Sequence, residues 1–209
     1  MRRFIFIAFV TIFSSGCAVG VKHQYDTVSP EFNLATQTKL AVGVQDLRPY
    51  VVSGKKPETF VGLSRGGFGN PFDVNTQSGA PLAKDMRTVI AASLKRGGAT
   101  VIEVELKPSG GAANARQAML NVGADKAVLM SLREWKSDTY TNTALHYDVL
   151  LTVLAANGDV LATKDLQGRD NLGGSFLNPP EHARNAVPEA FRRKLEELFS
   201  DPAVAQALR

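Results

Sequence analysis

Ala144 to Ala156 (ALHYDVLLTVLAA), the pair Asn157-Gly158, and Asp159 to Gly168 (DVLATKDLQG) decide the fold. Asn-Gly between two apolar-alternating runs is the strongest short hairpin signal, because both central residues of a type I′ turn need positive φ. Just upstream, Lys126 to Trp135 (KAVLMSLREW) has the composition of a third strand. The three runs predict an antiparallel meander.

Working outward, Leu82, Met86, Val89, Ile90 and Leu94 fall at helical spacing between Pro81 and Gly97-Gly98, which predicts an amphipathic helix. Thr100 to Leu106 alternates as a strand, and Ala112 to Asn121 reads as a short helix closed by Gly123. Lys39 to Asp46 is a strand buried on at least one face. Near the C-terminus, Glu181 to Phe199 sets Ala183, Val187, Phe191, Leu195 and Leu198 on one side, with Pro188 kinking or restarting the helix. Asp201-Pro202 then opens a terminal helix to Leu208. The order β-(hairpin)-α-β-α-β-β-β-α predicts an α+β domain, a mixed sheet with two main amphipathic helices packed on it.

Residues 47 to 80 are rich in glycine and proline and too long for a structureless connection. They predict a hairpin with arms Glu58 to Ser64 and Phe72 to Thr76 and a tip of Arg65 to Pro71. Phe60, Phe68 and Phe72 on this hairpin are the candidate partner-contact residues; the plainer reading is a packed surface loop with Phe68 tucked beneath it.

The first sixteen residues have another character. Met1-Arg2-Arg3, the apolar run Phe4 to Phe13 (FIFIAFVTIF) and Ser14-Ser15-Gly16 follow the order of a secretory signal peptide, and the run is too short to span a bilayer. The only cysteine, Cys17, comes next. This junction resembles the lipobox of bacterial lipoproteins, which implies removal of residues 1 to 16 and acylation of Cys17, palmitate being a usual chain. Ala18 rather than Asp after it implies outer-membrane attachment on the periplasmic face. Residues 17 to 38 then read as a lipidated tether, which at about 3.3 Å per extended residue is long enough for the domain at 39 to 209 to stand off the bilayer.

Several function classes lose support. With one cysteine there is no disulfide and no thiolate metal site. The histidines His23, His146 and His182 are too scattered for a local ligand pair, and neither a phosphate-binding loop nor a dinucleotide fingerprint occurs, so no metal and no cofactor are expected. Without Arg2 and Arg3, 24 − 2 = 22 basic residues face 20 acidic ones, too even a balance for a nucleic-acid footprint. Gly62-Leu63-Ser64-Arg65-Gly66 matches G-x-S-x-G, with Asp148 and His182 following in triad order. However, Gly67-Phe68-Gly69-Asn70-Pro71 cannot start the helix a nucleophile elbow requires. Glu103 and Glu105 share a strand face, which is the pattern of a solvated surface. Asp165, Arg169, Asp170 and Asn171 with Gly168, Gly173 and Gly174 read as a turn or, alternatively, a ligand rim. Trp135 and Tyr140 would stack a small ligand or glycan if exposed, and burial is the default for Trp135.

The helix from Pro81 to Arg96 leading through Gly97-Gly98 into Val101-Ile102, the strands Tyr147 to Leu154 and Val160 to Leu166 around Ala156-Asn157-Gly158-Asp159, Gly173-Gly174-Ser175-Phe176 and Phe199-Ser200-Asp201-Pro202-Ala203-Val204 together resemble the YajG family of bacterial lipoproteins. The resemblance covers most of residues 80 to 209, and the hairpin at 47 to 80 is longer than it requires. More distantly, the element order is similar to periplasmic domains of the TolB N-terminal, LpoB and CsgG type, which bind protein partners. The resemblance implies a non-enzymatic lipoprotein that binds another envelope component, such as an accessory subunit of a transport or cell-wall assembly machine. The alternatives are a serine hydrolase using Ser64 and a periplasmic small-ligand or glycan binder.

Overall fold

The computed structural model describes residues 20–209. The leader and Cys17 lie outside the described residues. The elements are β1 (Lys22–His23), β2 (Lys39–Asp46), α1 (Pro49–Val52), β3 (Phe60–Arg65), β4 (Pro71–Thr76), α2 (Leu82–Arg96), β5 (Thr100–Glu105), α3 (Gly111–Leu120), β6 (Lys126–Thr139), β7 (Asn142–Ala155), β8 (Val160–Gly174), α4 (Pro179–Phe199) and α5 (Pro202–Leu208). This is the expected α+β mixed sheet, with the antiparallel meander β6–β7–β8 as its frame.

β6 organises everything else. One edge pairs along its whole length with β7, from Lys126↔Ala155 to Thr139↔Thr143. Its other edge is shared: β2 runs parallel to the first half (Leu40↔Lys126 to Asp46↔Leu132) and β3 to the second (Gly62↔Ser137 to Ser64↔Thr139). Beyond β2 lies β5, also parallel, and beyond β3 come antiparallel β4 and then parallel β1. The sheet therefore forks where β2 leaves β6 and β3 arrives. A register shift between Leu132 and Glu134 falls at that level.

Arg48 fills the fork. Its side chain is buried and bonds both carboxylate oxygens of Asp46, at 2.8 and 2.6 Å, while also donating to the carbonyls of Glu58, Phe60 and Trp135. One guanidinium, which has donors enough for the task, thus ties carbonyls on both sides of the fork together. α2, α4 and α5 cover one face, over Leu40, Val42, Val44, Val128, Met130, Val149 and Leu151. The shorter α3 covers a smaller patch around Ala41, Val104, Ala127 and Leu154 on the other.

Four expectations are corrected. Residues 20 to 38 are not a free tether: β1 extends the sheet, Tyr25 accepts a hydrogen bond from Trp135 Nε1 at 3.1 Å, Phe32 stacks on Phe199 at 4.0 Å, and Thr36 donates to the Leu208 carbonyl at 2.8 Å. The segment has no period to read because helix side chains hold it rather than a continuous ladder. The third-last strand continues past Trp135 to Thr139, and the last runs to Gly174, so the cluster from Asp165 to Asn171 is strand and not turn. The C-terminal helix starts at Pro179 and contains Pro188 without a restart. Finally, α1 was not foreseen; it is a single turn started by Pro49.

Candidate functional site at the loop end of the sheet

The hairpin of β3 and β4 forms with arms Phe60–Arg65 and Pro71–Thr76, and the structure separates its three phenylalanines. Phe60 is buried, edge-on to Tyr50 at 5.3 Å with the Lys56 ammonium over its ring, so it is excluded as a contact residue. Phe72 is half-buried beneath Gly66. Phe68 alone stands fully exposed at the tip, and it is not tucked under the loop.

The G-x-S-x-G match has a packing explanation. A Cβ on Gly62 would lie 2.0 Å from Ser137 Oγ and 2.6 Å from its carbonyl oxygen, so glycine here permits the close approach of β3 to β6. Gly66 turns the hairpin, its N–H donating to Asn70 O at 2.9 Å, and Gly69 takes a φ of 80°. Ser64 is buried inside a strand, without the strand-to-helix turn that exposes a nucleophile. Its two supposed partners are engaged elsewhere. Asp148 accepts from Arg133 at 2.7 Å, and His182 Nε2 bonds the Leu172 carbonyl at 3.0 Å.

Trp135 is likewise removed from any ligand role by burial at 1% exposure between Tyr25 and Phe191. His23, expected in a linker, is wholly buried with Nε2 3.1 Å from Ser137 Oγ. Burial, and secondarily the charge of Arg184, pulls its pKa down to about 4, so it is a neutral imidazole. No metal-ligating cluster occurs among the described residues.

Three connections meet at the end of the sheet where β6 turns into β7. They are the hairpin tip, the turn at Tyr140-Thr141, and the segment Ser175–Asn178 between β8 and α4. Hydrogen bonds lace them together: Tyr140 Oη donates to Gly67 O at 3.3 Å and Ser175 N–H to Thr141 O at 3.2 Å. Arg65 grips Asp138 through two bonds of 2.7 and 2.6 Å, and that guanidinium holds the Asp138 carboxyl below its usual range. Between the connections lies an open cavity of about 650 Å³. Its charged lining residues are Lys22, Arg65 and Arg184, with no carboxylate among them. Around it project Phe68, Tyr140, Phe176 at 90% exposure and Leu177 at 93%. Gly20, where the described chain begins, lines the same cavity.

The neighbouring open face of the meander has a different character. Lys136, His146 and Arg169 form one cross-strand row, flanked by Glu134 with Asp148 and by Asp138. Arg133 bridges Asp148 and Asp165 at 2.6 Å each. Burial, then Lys136 and Arg169, lower the His146 pKa. Alternating charge rows compensate one another there, whereas the loop end gathers the most exposed apolar side chains of the described residues beside basic groups; Val52, Val160 and Leu161 are exposed elsewhere, each to about half. Sequence reasoning found Phe68 there but missed Phe176 and Leu177, since only the strand pairing brings the β8–α4 segment to the same cavity as the hairpin tip.

No family model matches the sequence, and no curated protein matches it. Among solved structures, the chain is similar to protein XCC0632 of Xanthomonas campestris, a DUF330 protein, with 12% identity over 90% of this chain and 94% of that one at a TM-score of 0.52. A weaker likeness is to the PelC dodecamer of Paraburkholderia phytofirmans, with 15% identity over 88% and 96% and a TM-score of 0.43. Lipoprotein GNA1162 of Neisseria meningitidis follows with 13% identity over 76% and 99% and a TM-score of 0.32. The first likeness extends to the fold alone, and the other two are too weak for any inference. The resemblance to the YajG family thus stays a likeness of residue pattern, and the fold is the one shared with XCC0632.

Proposed function

We propose that this chain is a non-enzymatic lipoprotein of the bacterial envelope, acylated on Cys17, held at the periplasmic face of the outer membrane, and binding another envelope component through the loop end of its sheet. The observation that carries this reading is the gathering of exposed Phe68, on the hairpin tip, and Phe176 and Leu177, on the β8–α4 segment, two connections that hydrogen bonds tie together through the Tyr140-Thr141 turn. Folding leaves these side chains in water, where large apolar groups grouped on polar-rimmed loops mark contact surfaces. The signal-like leader and Cys17 supply the address.

Mass spectrometry of the full-length protein expressed in a Gram-negative host tests the anchor, with a diacylglyceryl group on Cys17 expected and the Cys17→Ser variant lost from the outer-membrane fraction. A photo-crosslinking amino acid at residue 68 tests the surface in the same cells. Capture of an envelope component, protein or lipid, is expected at residue 68 and not at Ala156, at the opposite end; equal capture at both would sink the reading.

A further inference from the structure

The packed N-terminal segment changes the geometry of anchoring. Had residues 18 to 38 been free, the domain would have stood tens of ångströms from the lipid. Instead the chain is folded from Gly20 onward, and only Ala18 and Val19 lie between Gly20 and Cys17. The three Cα–Cα steps from Cys17 to Gly20 span about 11 Å at most. β1 runs parallel to β4, away from the hairpin tip, so going back from Lys22 towards residue 20 the chain heads for the loop end, and Gly20 lines the cavity there.

We infer that the loop end is the membrane-seating surface of the protein: Phe68, Phe176 and Leu177 enter the headgroup region beside the acylated Cys17, and Lys22 and Arg184 face anionic phospholipid headgroups. The inference rests on the reading of Cys17 as the lipid anchor and names the component that the loop end binds as the bilayer itself. Two independent observations point there. The chain exit lies at the same end as Phe68, Phe176 and Leu177, the three most exposed large apolar side chains of the described residues, whereas Val160 and Leu161 at the opposite end are about half exposed, and a leash of about 11 Å holds the loop end against the headgroups. Charge agrees: Lys22 and Arg184 are exposed, and neither has an acidic partner among the described residues. Apolar loop tips beside basic residues are the composition of interfacial binding, in which apolar area is buried at the acyl boundary and cations meet the phosphates. Tyr140 suits the same depth, its ring being amphipathic.

The acylated sulfur of Cys17 is closed to labelling, so Phe68→Cys, Leu177→Cys and Ala156→Cys each give the full-length lipidated protein one free thiol for a nitroxide. The first two positions lie at the loop end and the third at the opposite end, all exposed, so these substitutions leave the core untouched. In vesicles of phosphatidylethanolamine and phosphatidylglycerol, oxygen should relax the labels at 68 and 177 more strongly than a water-soluble nickel chelate does. At 156 the order should reverse. If the protein floats with the vesicles yet 68 and 177 behave as 156 does, the anchor stands and the seating surface is overturned. Spin–spin broadening between labels at 68 would assign this end to a second copy of the chain and overturn it too. Absence of acylation on Cys17 overturns the anchor and the seating surface together.

Discussion

The two halves of β6 sit in environments of different character. Around its first half, the interior is apolar, with Leu40, Val42 and Val44 of β2 facing Val128 and Met130 under α2. Around its second half, Trp135, Val61, Val74 and Leu145 are buried as well, but the interior also holds His23, Ser64, Thr76, Ser137, Thr139 and Thr143, while Phe68, Phe176 and Leu177 stand outside in water. One half buries apolar groups by the ordinary hydrophobic rule. The other is turned partly inside out. The difference teaches that the loop end was not shaped for stability alone, because a domain seeking only stability would exchange those positions.

The joint between the halves should be the most sensitive point. Arg48→Met leaves Asp46 charged, buried and without its partner, and a loss of about 3–5 kcal/mol is expected in denaturant unfolding. Arg133 on the open face is the control: its two carboxylates also lie at 2.6 Å, but its side chain is 37% exposed, so Arg133→Met should cost at most about 1 kcal/mol. Equal losses would erase the distinction between buried joint and exposed face.

Acid probes the polar half next. The His23 imidazole stays neutral in the fold down to about pH 4, whereas in the unfolded chain it protonates near 6.5. Between those values the unfolded state binds more protons, so stability falls as pH falls; above 6.5 the contribution is complete, and below 4 the loss levels off. The 2.5-unit gap corresponds to roughly 3 kcal/mol. Comparing unfolding of the native chain and His23→Gln from pH 7.5 to 4 should show a flatter slope in the variant; identical slopes would mean that His23 is not buried neutral.

The smallest effect has the opposite sign. Ser64 Oγ is buried with no hydrogen-bond partner among the described residues. Removing it in Ser64→Ala should raise stability by about 1 kcal/mol, since a desolvated hydroxyl without a partner is a net cost. A loss of stability on thermal melting would show that the hydroxyl is satisfied in solution and that this half is less inverted than the structure indicates.

Sequence reading recovered what depends on neighbours along the chain. The Asn157-Gly158 hairpin, α2 ending at Gly97, β5, and the terminal helix opened by Asp201 and Pro202 are all written locally, through turn chemistry and periodicity. β1, Tyr25, Phe32 and the full length of β8 were not, because their partners lie far away in the chain. Arg48 illustrates the limit: nothing around Leu47-Arg48-Pro49 announces that this arginine will satisfy carbonyls from residues 58, 60 and 135. For the candidate site, glycine and aromatic composition singled out the hairpin, yet composition could not say that Phe60 is buried while Phe68 is free.

By itself, then, the sequence determined the meander and the main helices, because each is encoded by short-range pattern. Only the tertiary structure decided that residues 20 to 38 are part of the domain and that residues 20, 68, 140 and 177 share one end. The physical reason is that strand pairing joins distant segments through backbone hydrogen bonds, which every residue can make and no local sequence advertises.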